Sequence, residues 1–173
     1  MRNKLILSAA STLIILGVGC APRSTIFRVP DNSNIGQKPP AIQTYLNTIN
    51  LSGQNLKTIP VEIFENSRAI ELNISNNKLT GAIPSQVGKM TSLKVLNMSN
   101  NLLTGIPAEV GQLANLEILD VSNNYITGMP YEIGNLKNLK KFIISGNKYS
   151  EQDLAKIRES LPKTTVIETS STL

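Results

Sequence analysis

Cys20 is the one thiol of a 173-residue chain that contains no histidine. A thiol can act as a nucleophile, a disulfide partner, a metal ligand or the acceptor of a thioether-linked lipid. A single cysteine cannot close an internal disulfide. Without histidine, neither a Cys–His or Ser–His–Asp nucleophile nor a Cys/His metal site can be assembled. No cofactor, no metal and no enzymatic activity are therefore expected. Carboxylates recur at Glu62, Glu109 and Glu132, inside the segments PVEIF, PAEVG and PYEIG. Acid–base catalysis needs two carboxylates converging on one bond. Here each belongs to its own copy of a repeated segment, which predicts separate, solvated side chains. Amides recur too: Gln54, Asn77, Asn101, Asn124 and Asn147 stand 23, 24, 23 and 23 residues apart. Their chemistry is hydrogen bonding, and an unpaired buried amide costs roughly 1–3 kcal/mol. A buried row of them must be paired throughout.

Cys20 has a distinctive setting. Arg2 and Lys4 form a short basic start, and Leu5 to Val18 form an apolar run. The run has the length of a signal-peptide core and is short of the roughly 20 apolar residues that a membrane span needs. The segment Leu16-Gly17-Val18-Gly19-Cys20 resembles the lipobox of bacterial lipoproteins. It departs from that pattern in having Gly17 where the family prefers leucine. The resemblance implies a signal peptide over residues 1–19, a diacylglyceryl group on the Cys20 sulfur, cleavage before it and acylation of the new amino terminus. The other reading is an ordinary secretory signal in which Cys20 is incidental. Each buried CH₂ contributes about 0.8 kcal/mol and stable anchoring takes two chains, which a lipidated cysteine supplies. Ala21 comes next. In the Gram-negative members an aspartate there marks inner-membrane retention, so the expected place is the cell envelope, at the outer membrane or surface. Residues 20–40 then form a flexible tether rich in proline (Pro22, Pro30, Pro39, Pro40). Ile26, Phe27 and Val29 are the candidates for a partial cap on the first unit of the folded domain.

The elements that position the amide row come from an internal repeat. Segments beginning at Leu46, Ala69, Leu93, Leu116 and Leu139 lie 23, 24, 23 and 23 residues apart. They read LNTINLSGQNLKTIP, AIELNISNNKLTGAIP, LKVLNMSNNLLTGIP, LEILDVSNNYITGMP and LKKFIISGNKYS. Ala82 accounts for the one extra residue. This pattern, L-x-x-L-x-L-x-x-N-x-L, resembles the leucine-rich-repeat family over residues 41–168, in its 23-residue class and without cysteine-rich caps. The resemblance implies an α/β solenoid with a curved parallel sheet on the concave side and short helical or irregular convex segments. Five repeats and a C-terminal helical cap make up the domain, and residues 169–173 form a tail.

The pattern also explains itself physically. Leu96 and Met98 are two apart, so they share one face of a strand. One repeat cannot bury them; stacked neighbours can. In the family the asparagine row is a buried ladder, here Gln54, Asn77, Asn101, Asn124 and Asn147. Gly81, Gly105 and Gly128 are expected to permit tight turns. Pro60, Pro84, Pro107 and Pro130 are expected to open the convex side. Ser150 to Asp153 resemble a capping box. Leu154, Ile157 and Leu161 share one face of the helix it starts. Pro162 ends that helix, and Thr164 to Ile167 are placed to add a last strand.

Outward positions alternate with buried ones. They include Thr48 and Asn50; Glu71, Asn73, Ser75 and Asn76; Val95, Asn97, Ser99 and Asn100; Ile118, Asp120, Ser122 and Asn123; and Lys141, Ile143 and Ser145. The serine column suits the bend after the strand. The column Asn50, Asn73, Asn97, Asp120, Ile143 sits where structure is expected to make no demand. Val95, Ile118 and Ile143 form an apolar diagonal beside it. Two readings stand: an interaction site rimmed by polar groups, or plain β-propensity. Family habit places recognition on the concave face, which singles out Asn73, Val95, Asn97, Ile118 and Asp120 as the centre of a protein-binding surface. The alternative is a structural or glycan-binding envelope protein. The chain is expected to be monomeric, with an unidentified protein ligand there and the membrane reached through lipid on Cys20. The formal charge of +5 becomes +3 without Arg2 and Lys4, too mild for nucleic acid. The basic C-terminal end (Lys137, Lys140, Lys141, Lys148, Lys156, Arg158, Lys163) suits either an anionic lipid or polysaccharide, or simple solvation.

Overall fold

The computed structural model describes residues 43–45 and 47–169, with side chains from Asn47 onward. The expected signal peptide 1–19, Cys20, the tether to residue 40 with Ile26, Phe27 and Val29, and the tail past Thr169 lie outside the described residues. Among those described, no helix is long and apolar enough to cross a membrane.

The L-x-L pairs give three-residue strands: β2 (Thr48–Asn50), β3 (Glu71–Asn73), β5 (Val95–Asn97), β7 (Ile118–Asp120) and β8 (Lys141–Ile143). They stack in parallel with β9 (Val166–Glu168) at one edge. At the other edge β1 (Gln43–Tyr45) folds back antiparallel onto β2. The sheet order is β1-β2-β3-β5-β7-β8-β9. Ile49, Leu72, Leu96, Leu119 and Phe142 sit in one register row and are all buried. Leu51, Ile74, Met98, Val121 and Ile144 form the next buried row. Fully burying one such side chain contributes about 1.5–3 kcal/mol.

After each strand the chain must bend, and it does so through a left-handed residue. Gly53, Asn76, Asn100, Asn123 and Gly146 have φ of 68°, 57°, 55°, 52° and 70°. Only glycine and asparagine enter that region routinely. The spacing alone puts Asn76, Asn100 and Asn123 among the outward sheet positions. They are exposed, but the bend selects them. The serines beside them depart from the outward pattern as well: Ser75, Ser99 and Ser122 are only 4–7% exposed.

The returning stretch makes a second, two-stranded sheet from β4 (Thr80–Ala82) and β6 (Leu102–Gly105). Gly105 also bridges Gly128. Of the three glycines expected in tight turns, only Gly81 has a positive φ; Gly105 and Gly128 are extended. The prolines do open the convex side, each as the residue before a 3₁₀ turn: η1 (Val61–Glu65), η2 (Ser85–Lys89), η3 (Ala108–Gln112) and η4 (Tyr131–Asn135). Glycine matters here for space. A Cβ on Gly111 would lie 2.3 Å from the Glu132 carbonyl oxygen, and one on Gly134 would lie 2.6 Å from Ser160 Cβ. The glycine of P-x-E-[IV]-G thus lets one convex turn pack against the next.

Helix α1 (Glu151–Ser160) closes the C-terminal end, with Asp153 N–H donating to Ser150 Oγ at 3.3 Å. Leu154, Ile157 and Leu161 are buried beneath it. Tyr131 holds it from outside, donating from its hydroxyl to Asp153 at 2.9 Å.

Candidate functional site on the sheet face

The surface begins with the asparagines beneath it. Asn77 Nδ2 donates to the carbonyls of Leu51, Ile74 and Ser75, while its Oδ1 accepts from Gln54 and Leu56 N–H. Asn101 bonds the carbonyls of Ile74, Met98 and Ser99 and accepts from Leu79 N–H. Asn124 accepts from Leu103 N–H and Asn147 from Ile126 N–H, with matching carbonyl sets. Every rung reaches one coil back. Gln54 differs. Its Oε1 is buried without a partner, and among the described residues the antiparallel strand β1, not a coil, precedes it. Among the described residues, Gln54 occupies the ladder position without the bonds of the other rungs.

On this scaffold the strands present two rows. The first is Thr48, Glu71, Val95, Ile118, Lys141 and Val166 in strict register. The second is Asn50, Asn73, Asn97, Asp120, Ile143 and Glu168. Asn73, Val95, Asn97, Ile118 and Asp120 are all half-buried and lie side by side on three consecutive strands. Neighbouring strands are about 4.8 Å apart, so Val95 and Ile118 make one apolar step between Glu71 and Lys141.

The second row carries a structural duty that hydrophobic spacing does not reveal. Asn73 Oδ1 accepts from Ser75 N–H at 3.0 Å. Asn97 Oδ1 accepts from Ser99 N–H and Oγ at 3.0 and 2.7 Å, and Asp120 Oδ1 does the same for Ser122. Asn50 holds Ser52 likewise. These are Asx turns that cap the strand end. Ile143 cannot make one, and there Ser145 N–H donates instead to the Glu168 carbonyl of β9. One terminal atom per residue has no partner among the described residues: Nδ2 of Asn73 and Asn97, and Oδ2 of Asp120.

A third row flanks the site. Glu117 pairs with Lys94 at 3.3 Å and with Lys140 at 2.5 Å. Hydrogen bonds from Lys140, then Lys94, hold its carboxyl below the ordinary glutamate range. Sequence reasoning passes over Lys94 and Glu117 and counts Lys140 only in the basic C-terminal end, although the sign alternation at repeat spacing signals all three. The basic C-terminal end is largely engaged internally. Lys137 donates to the carbonyls of Gly134 and Ser160, Lys141 pairs with Glu168 at 2.8 Å, and Lys156 donates to Tyr131. The last contact raises the Lys156 pKa. Among the described residues no group of three His, Cys, Asp or Glu side chains could hold a metal ion.

The family model for a leucine-rich repeat region matches residues 45–169. Among solved structures, a leucine-rich-repeat protein of Leptospira interrogans is 35% identical with a TM-score of 0.60, over 65% of this chain and 28% of its own. The leucine-rich-repeat ectodomain of the receptor kinase SOBIR1 from Arabidopsis thaliana is 30% identical with a TM-score of 0.58, over 70% of this chain and 68% of its own. The plant peptide hormone receptor RGFR1, solved in complex with RGF2, is 30% identical with a TM-score of 0.56, over 65% of this chain. The chain spans only 19% of that receptor. No curated protein sequence matches it.

Proposed function

Since the chain belongs to the leucine-rich-repeat family, we propose that it is a protein-binding module whose sheet face takes a protein or peptide partner, held at a bacterial cell envelope by lipid on Cys20. The observation that carries the binding surface is the adjacent, half-buried pair Val95 and Ile118. Beside it stand the open amide ends of Asn73 and Asn97 and the free oxygen of Asp120. An apolar step of this kind can cover a partner's side chain, and the polar ends fix its direction. Glu71 on one side and Lys141 on the other give the row a charge polarity. Binding energy concentrates at the middle of an interface, where these residues lie. The likeness to a peptide hormone receptor solved with its ligand agrees with a peptide-sized partner. The described rows offer no aromatic ring for stacking a sugar, which favours protein over glycan on this face.

The anchor rests on Arg2, Lys4, the apolar run and the lone Cys20. The outer membrane or cell surface is the favoured place. Metabolic labelling with a fatty-acid analogue should mark the protein, and Cys20→Ser should release it from membranes. An unlabelled wild type, with a serine variant still membrane-bound, would overturn the anchor.

The binding face is tested by cross-linking whole-cell envelopes and repeating the capture with variants. Val95→Lys and Ile118→Asp should lose the captured partner while Glu109→Lys and Glu132→Lys keep it. The reverse pattern would put the site on the convex side.

A further inference from the structure

The returning stretch of each coil forms a flank separate from the sheet face, and its charge is one-sided. Lys78 N–H donates to Leu56 O, Leu102 N–H to Leu79 O, Tyr125 N–H to Leu103 O, and Lys148 N–H to Ile126 O, at 2.8–3.0 Å. Lys78, Leu102, Tyr125 and Lys148 are equivalent positions of successive coils, each a single coil from the next, and these bonds set them in register with Lys57, Thr80, Thr104 and Thr127 of the coil before. Three such steps span roughly 14 Å. Two residues further on, Lys57, Thr80, Thr104 and Thr127 make a parallel line, and all of them are exposed. The residues between the lines, Leu79, Leu103 and Ile126, are fully buried. The flank is thus an extended surface whose outward side chains are those two lines. Leu102 is 40% exposed and Tyr125 is 51% exposed.

None of the segments 54–60, 77–84, 101–107, 124–130 and 147–150 contains an aspartate or glutamate. Among the described residues the carboxylates sit elsewhere: on the 3₁₀ turns, on the sheet face and on α1. Lys57, Lys78 and Lys148 make no ion pair among the described residues, whereas Lys89, Lys94, Lys140 and Lys141 all do. An exposed aromatic ring, a row of hydroxyls and unpaired cations at both ends, with no carboxylate between, are complementary to a linear anionic polymer that also offers hydroxyls and apolar ring faces. We propose that this flank binds an anionic polysaccharide lying along the solenoid axis. Its acid groups meet Lys57, Lys78 and Lys148, one sugar face covers Tyr125 and Leu102, and the threonine hydroxyls meet its hydroxyls. The site is independent of the sheet face, so loss of either leaves the other intact.

The test uses the full-length chain in non-ionic detergent and fluorescently labelled polyuronate (alginate) as the probe, followed by anisotropy. Neutral dextran and a poly-glutamate peptide are run alongside. Tyr125→Ser should weaken alginate binding about tenfold, and Lys78→Glu with Lys148→Glu by more, with a flatter salt dependence. Lys89→Glu, on the convex side, should leave it unchanged. Circular dichroism confirms that each variant is folded. Wild-type alginate affinity in Tyr125→Ser or in the double lysine variant overturns the proposal. So does equal binding of poly-glutamate that ignores Tyr125, which would mark a protein-type or purely ionic attraction.

Discussion

Replacing Asn101 by alanine isolates what a single rung contributes. The Leu79 N–H has Asn101 Oδ1 as its acceptor, at 3.1 Å, and Leu79 is fully buried. That donor is orphaned outright, at roughly 1–3 kcal/mol. The three carbonyls lose less. Ile74 O keeps a bond from Asn77, Met98 O keeps one from Asn124, and Ser99 O keeps one from Asn76 N–H. With the small void added, the expected loss is about 3 kcal/mol. Asn97→Ala is the comparison. It releases Ser99 N–H and Oγ from the Asx turn at a half-exposed position where water replaces part of the bond. About 1 kcal/mol is expected, more than a neutral surface change and well short of the rung. Urea unfolding of the full chain followed by circular dichroism, with matching slopes, reads both. Asn101→Asp sharpens the test: it keeps the acceptor for Leu79 but turns a second oxygen toward three carbonyls. It should be at least as damaging as alanine at neutral pH and partly recover in acid. A loss under about 0.5 kcal/mol for Asn101→Ala, or equal losses at Asn101 and Asn97, would refute the rung assignment.

Gly111→Ala places a methyl 2.3 Å from the Glu132 carbonyl oxygen; a loss of about 1–3 kcal/mol is expected from the forced shift of η4, and an unchanged thermal midpoint would show that the convex turns are loosely packed. Gly146→Ala meets both a φ of 70° and the Asn123 side chain at 2.3 Å. Asn123→Ala carries its own left-handed strain at φ 52°, so the comparison is made in that background, where Gly146→Ala should lose the side-chain clash and cost about 1–2 kcal/mol of backbone strain, measured as a double-variant cycle. The Glu117 carboxyl has a lowered pKa from its lysine partners, so its contribution is present above the ordinary glutamate pKa and fades as pH falls through the lowered value. NMR titration should show Glu117 ionising below the ordinary glutamate value, with the shift shrinking in high salt; an ordinary midpoint in low salt would remove the triad.

The sheet was readable because burial is encoded at each strand: Leu96 and Met98 have no other place to go, and the repeat multiplies that signal. The buried amides were readable from the same register. What escaped was set by local hydrogen bonding or close approach, which hydrophobic spacing does not report. Asn97 looked like a free surface residue, yet its Oδ1 caps the strand. Asn100 looked like an outward sheet position, yet the bend requires it. Gly111 and Gly105 each belong to a column that is glycine in three of the repeats; only contact geometry tells that one is needed for space and the other is not. The flank line of Lys78, Leu102, Tyr125 and Lys148 varies from copy to copy, so a search for sameness passes over it.

Each asparagine rung bonds only its own coil and the one before, so the ladder is wired one coil at a time along the axis. A duplicated unit of 23 residues would bring a rung, an Asx turn, a left-handed bend residue and a spacing glycine with it, and would leave no group unsatisfied at either seam. A length change between β2 and β8 therefore leaves the two terminal closures untouched, the antiparallel strand at one end and α1 with β9 at the other. Surface extent becomes a quantity that gene duplication can tune in discrete steps, while the chemistry of each step drifts independently. Likeness to structures several times longer is what such a modular lineage produces.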